Sequence, residues 1–319
     1  MTGSVSFIDG FSRLHWRKAV AALLAAVLFA GAAPQARAEA VAITFDDLPL
    51  NGTLAPGTTS AGIVRQVLAI LKQRHVPQVY GFMNAAKLEG SADGALAMRL
   101  WVAGGQRVGN HTYVHGDLNV ETPAAFLDDV RRDEPVLELL DAQDHWHWLR
   151  YPYLREGETL DKRRAVREQL RARGYQIAQV TLDFEDYLWN SPYARCSAQH
   201  DEHAMAWLRS SYLSMARQYL EADRAMARLV VGREISHVLL LHLGAFSSAI
   251  LPDLLTLLRE RGFTLVTLEQ AQRDAVYATD PDAGSAHGGS LLEQWLDVRK
   301  LEYPPAPAKP YKELEALCR

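Results

Sequence analysis

The chain has 319 residues, 48% of them hydrophobic and 23% charged, with a formal net charge of −4. That composition suits a globular, enzyme-sized chain and excludes general disorder, a collagen repeat or a coiled-coil rod. The mild negative charge speaks against nucleic acid as a partner.

Residues 1–38 differ from the rest of the chain. Arg13, Arg17 and Lys18 precede an apolar run over about 19–30, and Ala36-Arg37-Ala38 has the small-x-small form of a cleavage site. This pattern reads as a secretory signal peptide. The apolar run falls short of the ~20 residues a spanning helix needs. An exported protein, periplasmic or secreted, is expected, with no membrane span after cleavage. Its oligomeric state is not set by the sequence. Two cysteines are present, Cys196 and Cys318. An oxidising compartment permits a disulfide between them, tying the C-terminal tail to a loop over 189–196; two separate thiols are the alternative.

Short β-rich runs alternate with helical patterns along the chain. Strands are expected at 41–45, 78–83, 107–109, 147–151, 176–182, 237–241 and 263–267. Amphipathic helices are expected at 60–75, 123–140, 160–173 and 249–261. About seven strand–helix units argue for parallel strands with helical crossovers. A distorted TIM-like barrel is expected, because polar residues recur after strand after strand, as at the C-terminal ends of barrel strands. A mostly helical insertion over about 191–232 interrupts the rhythm. After residue 280 the chain reads as a tail with one or two short helices.

The chemistry-bearing residues follow the strands. Asp46 and Asp47 close the first; adjacent carboxylates there need a cation or hydrogen bonds, unless they simply cap a loop. His111 and His115 follow the third, at a spacing that shares one face of a helical turn. With Asp47 they make a His2Asp set, the ligand count of a catalytic metal site. Arg150 ends the fourth strand, where a guanidinium beside Asp46 would hold that acid ionised. Asp183 to Tyr187 end the fifth. His242 ends the next, either as a core histidine or, beside a carboxylate, as a general acid.

Together these segments resemble the five motifs of the NodB-type polysaccharide deacetylases, carbohydrate esterase family 4. The motifs are Thr44-Phe45-Asp46-Asp47, His111-Thr112-Tyr113-Val114-His115, Arg150-Tyr151-Pro152-Tyr153, Asp183 to Tyr187 and Leu239 to His242. The resemblance spans about residues 41–275. It implies a distorted (β/α)7 barrel over 39–280, with residues 281–319 as a tail. It implies one divalent metal on Asp47, His111 and His115, with zinc the expected ion and cobalt, nickel or manganese the alternatives. It implies Asp46 as base, Arg150 as its orienter, the Tyr153 N–H as an oxyanion donor, and His242 as acid tuned by Asp186. The implied activity is hydrolysis of carbon–nitrogen bonds other than peptide bonds. Acetyl groups would leave an N-acetylated glycan, peptidoglycan or chitooligosaccharide-like, by attack of a metal-activated water. The alternatives are an O-acetyl esterase on xylan or another acetylated polysaccharide, and a non-catalytic carbohydrate-binding module. Leu48 and Leu154 stand where the family usually has glycine, and Tyr187 where it has tryptophan. These departures bear on pocket shape.

Overall fold

A computed structural model describes residues 1–4 and 39–319, so the body of the expected signal peptide lies outside the described residues. Eight strands run through the described chain: β1 (Ala40–Asn51), β2 (Tyr80–Met83), β3 (Arg107–Asn110), β4 (Trp148–Leu149), β5 (Gln176–Ile177), β6 (Leu182–Asp183), β7 (His237–Gly244) and β8 (Thr264–Val266). All their pairings are parallel, in the order β5-β4-β3-β2-β1-β7-β6. β1 is the hub. It pairs with β7 from Val41 to Asp46, with β8 at Ala40–Ala42 and with β2 from Thr44 onward. The result is a curled, parallel half-barrel of the (β/α)7 kind, as expected from the motifs.

Parallel neighbours need crossovers, and helices supply them. They are α1 (Ser60–Gln73), α2 (Ala92–Ala103), α3 (Pro123–Leu140), α4 (Leu160–Ala172), α5 (Tyr187–Ala198), α6 (Glu202–Val231), α7 (Ser247–Glu260), α8 (Leu268–Ala271), α9 (Leu291–Arg299) and α10 (Tyr311–Ala316). Their starts follow capping chemistry. Thr59, Thr122 and Thr159 each accept a backbone N–H of the first turn of α1, α3 and α4, satisfying donors that have no partner within the helix. α1 buries Ile63, Val64, Val67 and Leu71 on one face. Each such burial stabilises the fold by about 1.5–3 kcal/mol. The pattern of residues 92–103 did not signal α2, because Leu96, Ala97, Met98, Leu100, Trp101 and Val102 spread around the helix rather than along one stripe.

Two expectations need correction. The strand expected at 176–182 is two short strands. Ala178 N donates to Leu149 O at 2.8 Å, while Thr181 N donates to Val238 O at 3.1 Å. The segment therefore leaves β4 and joins β7 midway, a change of partner that a β-rich run does not reveal. The loop expected at 189–196 lies inside α5.

The two-residue period of β1 sorts its side chains. Val41, Ile43 and Phe45 join the large core under the helices with Val64, Val67 and Leu254. Ala42, on the other face, packs with Tyr80, Phe82, Trp148 and Val238 inside the curl, over Leu268 and Ala271. Thr44 and Asp46 continue that inner row toward the C-terminal end of the strand.

Candidate active site

The inner row ends in chemistry. Asp46 on β1 stands in register with His242 on β7. Arg150, just after β4, donates through Nη1 to both Asp46 oxygens, at 3.0 and 3.2 Å. Its Nη2 donates to Thr44 Oγ1 at 3.1 Å, and its Nε to Ala178 O at 2.6 Å. The guanidinium lies 4.7 Å from the Phe82 ring centre and is 1% exposed. One nitrogen of the planar fork thus grips the acid, while the other two are fixed by Thr44 and Ala178. Burial nevertheless pushes Asp46 up to about 6, against the pull of Arg150 and His242.

Asp47 adopts a positive φ of 66°, which turns its side chain away from the row. Its Oδ2 accepts from Asn51 Nδ2 at 2.7 Å, and its Oδ1 from Lys87 Nζ at 2.9 Å. Burial pushes this carboxyl up, but the charges of Lys87 and His242 outweigh it and hold Asp47 well below the usual range. One ligand atom from each of Asp47, His111 and His115 lies within 4.8 Å of the others, and no other such triad occurs among the described residues.

The histidines are brought together differently from the expected helical turn. Residues 111–115 are irregular, with Thr112 at φ 61° and His115 at φ 65°. Asn84 Nδ2 donates to the carbonyls of His111 and Thr112 at 2.7 and 2.9 Å. Asn110 Oδ1 accepts Thr112 N at 2.8 Å, and Thr112 Oγ1 accepts Gly116 N at 2.7 Å. These polar side chains replace the helical bonds. His111 Nδ1 meets Arg150 O at 2.8 Å, so the ring donates there and leaves Nε2 as the lone-pair nitrogen. Burial lowers both histidine pKa values, which keeps the rings neutral. A neutral imidazole with its second nitrogen held, a second neutral imidazole and an ionised carboxylate are the donor set a divalent ion requires. The residues fit the implied metal.

Across the cleft, His242 Nδ1 meets Asp186 Oδ1 at 2.8 Å, and His242 N donates to Asp186 Oδ2 at 2.9 Å. Burial disfavours the charged ring, yet Asp186 prevails and His242 rises to about 9. The Tyr187 ring lies 5.1 Å from the imidazole. Tyr153 has φ 58°, is 56% exposed and stands 4.5 Å from the His115 ring. One cavity of 640 Å³ is lined by Asp46, Asp47, His111, His115, Tyr153 and His242. Arg150 and Asp186 are buried behind it as partners of Asp46 and His242.

Several supporting residues carry no signal in the sequence. Lys87, Asn84 and Asn110 belong to no motif. Nor does Asn190, which donates to Asn51 Oδ1 at 2.8 Å and accepts Phe246 N at 3.0 Å. Gly244 allows that contact, since a Cβ there would lie 2.3 Å from the Asn190 amide.

Residues 33–178 match the family described as Polysaccharide deacetylase. The chain is 32% identical over 155 residues to a chitin deacetylase of Colletotrichum lindemuthianum, which covers 48% of this chain and 54% of that protein. The chain thus spans about half the length of this curated relative. Among solved structures it resembles a CE4 family pseudoenzyme from Bacillus anthracis, at 15% identity and TM-score 0.50, over 74% of this chain and 66% of that one. The structure of the Colletotrichum lindemuthianum chitin deacetylase aligns at 23% identity and TM-score 0.48, over 78% of this chain and 92% of that one. The curled parallel half-barrel is the fold shared with the first of these structures. Residues 33–178 thus match the polysaccharide deacetylase family, and the motifs resemble its NodB type. The matched stretch contains the first three motifs and ends before Asp186 and His242.

Proposed function

We propose that the protein is an exported, metal-dependent hydrolase that removes acetyl groups from an N-acetylated glycan, with residues 39–280 as the catalytic domain and 281–319 as a tail. The observation that carries this reading is the convergence of two sets in one cavity. Asp47, His111 and His115 hold the metal; Asp46 and His242, on paired strands, handle protons.

Asp47, His111 and His115 would hold a divalent ion, zinc by ligand type, which would supply polarisation of the acetyl carbonyl and a lowered pKa for water. Asp46 accepts the proton of the attacking water, while Arg150 fixes which lone pairs face the cleft. The Tyr153 N–H donates to the oxygen that gains charge as the carbonyl becomes tetrahedral. His242, protonated and turned by Asp186, gives its Nε2 proton to the leaving nitrogen. An amide nitrogen leaves poorly without that proton, so the raised pKa of His242 favours N-acetyl over O-acetyl substrates. The glycan class rests on family membership and the chitin deacetylase likeness. Export rests on the leader pattern and on the bond between Cys196 and Cys318, which suits an oxidising compartment.

Acetate release from an N-acetylglucosamine tetramer and from acetylated xylan, with and without chelator, tests the reading. The expected result is release from the tetramer that chelator abolishes and zinc restores. Release unaffected by chelator, or from the ester alone, would contradict it.

A further inference from the structure

The cavity has a wall that the five motifs do not supply. His287, Gly288, Gly289, Glu293, Asp297 and Tyr303, all beyond residue 280, line it together with the metal-set residues. This segment is docked by the fold rather than laid over it. Leu291 N donates to Val180 O at 2.8 Å, between β5 and β6, and Ser285 N to Gly157 O at 2.9 Å. Arg163, fully buried, donates to Gln294 Oε1 at 3.0 Å and pairs with Asp280 at 2.5 Å. Leu291, Leu292 and Leu296 are buried with Met226, Ala227 and Val230 of α6. Gly288, at φ +77°, approaches Tyr153 so closely that a Cβ would lie 2.5 Å from the Tyr153 carbonyl oxygen.

On this wall Tyr303 is half exposed, and its hydroxyl donates to Asp297 Oδ1 at 2.7 Å. The anchored hydroxyl orients the ring at the cavity wall. A half-exposed, oriented aromatic in a cleft of mixed polarity suits the C–H face of a pyranose ring. The carboxylate of Glu293 beside it suits sugar hydroxyls and amides as an acceptor. At 640 Å³ the cavity sits mid-range for small-molecule sites, which run from about 300 to 1,000 Å³. That leaves room beside the acetyl-bearing ring.

We propose that the segment from His287 to Tyr303 builds a second sugar-binding subsite, with Tyr303 as its stacking platform for the ring next to the one being deacetylated. The inference rests on the deacetylase reading for the identity of the sugar, and two readouts keep the two apart. Binding of the N-acetylglucosamine tetramer and monomer is measured by calorimetry on the full, zinc-loaded chain. Acetate release from the tetramer and metal content are followed in parallel. Tyr303→Ala should weaken tetramer binding about tenfold, the size of one good aromatic contact, and raise KM with kcat little changed. Tyr303→Phe, which keeps the ring, should stay within about threefold of wild type, and metal content should match wild type in both. Tetramer binding unchanged in Tyr303→Ala, or no tighter than monomer binding in wild type, would overturn the subsite. Tetramer binding that depends on Tyr303 without acetate release would leave the subsite standing and overturn the deacetylase reading instead.

Discussion

His242 illustrates how one carboxylate can set the charge of a buried side chain. Its ring is buried, which alone would favour the neutral form; the Asp186 carboxylate at 2.8 Å reverses that and raises the pKa to about 9. The folded value lies above the unfolded one, about 6.5. The pair's stabilisation is therefore complete below about pH 6.5 and is lost as pH rises through about 9. In the proposed reaction the same proton is the one given to the leaving nitrogen, so activity should decline on the alkaline side near that value. In Asp186→Asn, burial is opposed only by the charges of Asp47 and Asp46, and the alkaline limb should move down by roughly one to three pH units. A pH–rate profile checks this; an unmoved limb would assign it to another group. The residue scale was partly legible in the sequence. Asp46, Asp47, His111, His115, Arg150 and His242 sit at strand ends, where an apolar run gives way to a polar residue. Lys87 was not legible. It lies in a short turn after β2, and only the fold brings its Nζ to 2.9 Å from Asp47.

At the scale of the element, α5 joins the tail to the site. Asp186 precedes its first turn and supports His242, and Asn190 in that first turn supports Asn51 and through it Asp47. Near its end, Cys196 is bonded to Cys318, 122 residues on. Arg195 adds bonds from Nη2 to the carbonyls of Leu314 and Leu317, at 3.0 and 2.9 Å. The sequence allowed the cysteine pair and left it open against two free thiols, because nothing local fixes the distance between residues so far apart. The fold closes that question by returning the C-terminus to α5. A cross-link over so long a loop restricts the unfolded chain. Replacing Cys318 with Ser should cost about 2–4 kcal/mol, read as a lower denaturation midpoint. Activity at low temperature should persist, since Asp186 and Asn190 lie nearer the other end of the helix. An unchanged midpoint would mean that Arg195 and its carbonyl partners hold the tail unaided.

At the scale of the molecule, the half-barrel turns scattered residues into a site by ending its inner rows at one rim. The strand–helix rhythm and strand-end polarity were visible in sequence, because periods of 2 and 3.6 are local properties. The break between β5 and β6, the irregular loop carrying the histidines and the wall supplied after residue 280 were not, because each depends on a distant partner: β7, Asn84 and Val180. The central claim is that two neighbouring carboxylates divide the work, Asp47 holding the metal and Asp46 taking the proton. Side-chain reversal at the end of β1 makes this division possible, with Asp46 on Arg150 and Asp47, at positive φ, facing Lys87 and the histidines. The direct measurement is metal content together with acetate release for Asp46→Asn. The account predicts a wild-type complement of one divalent ion per chain and turnover reduced by roughly 10²-fold or more. Near-wild-type turnover with the metal in place would contradict it.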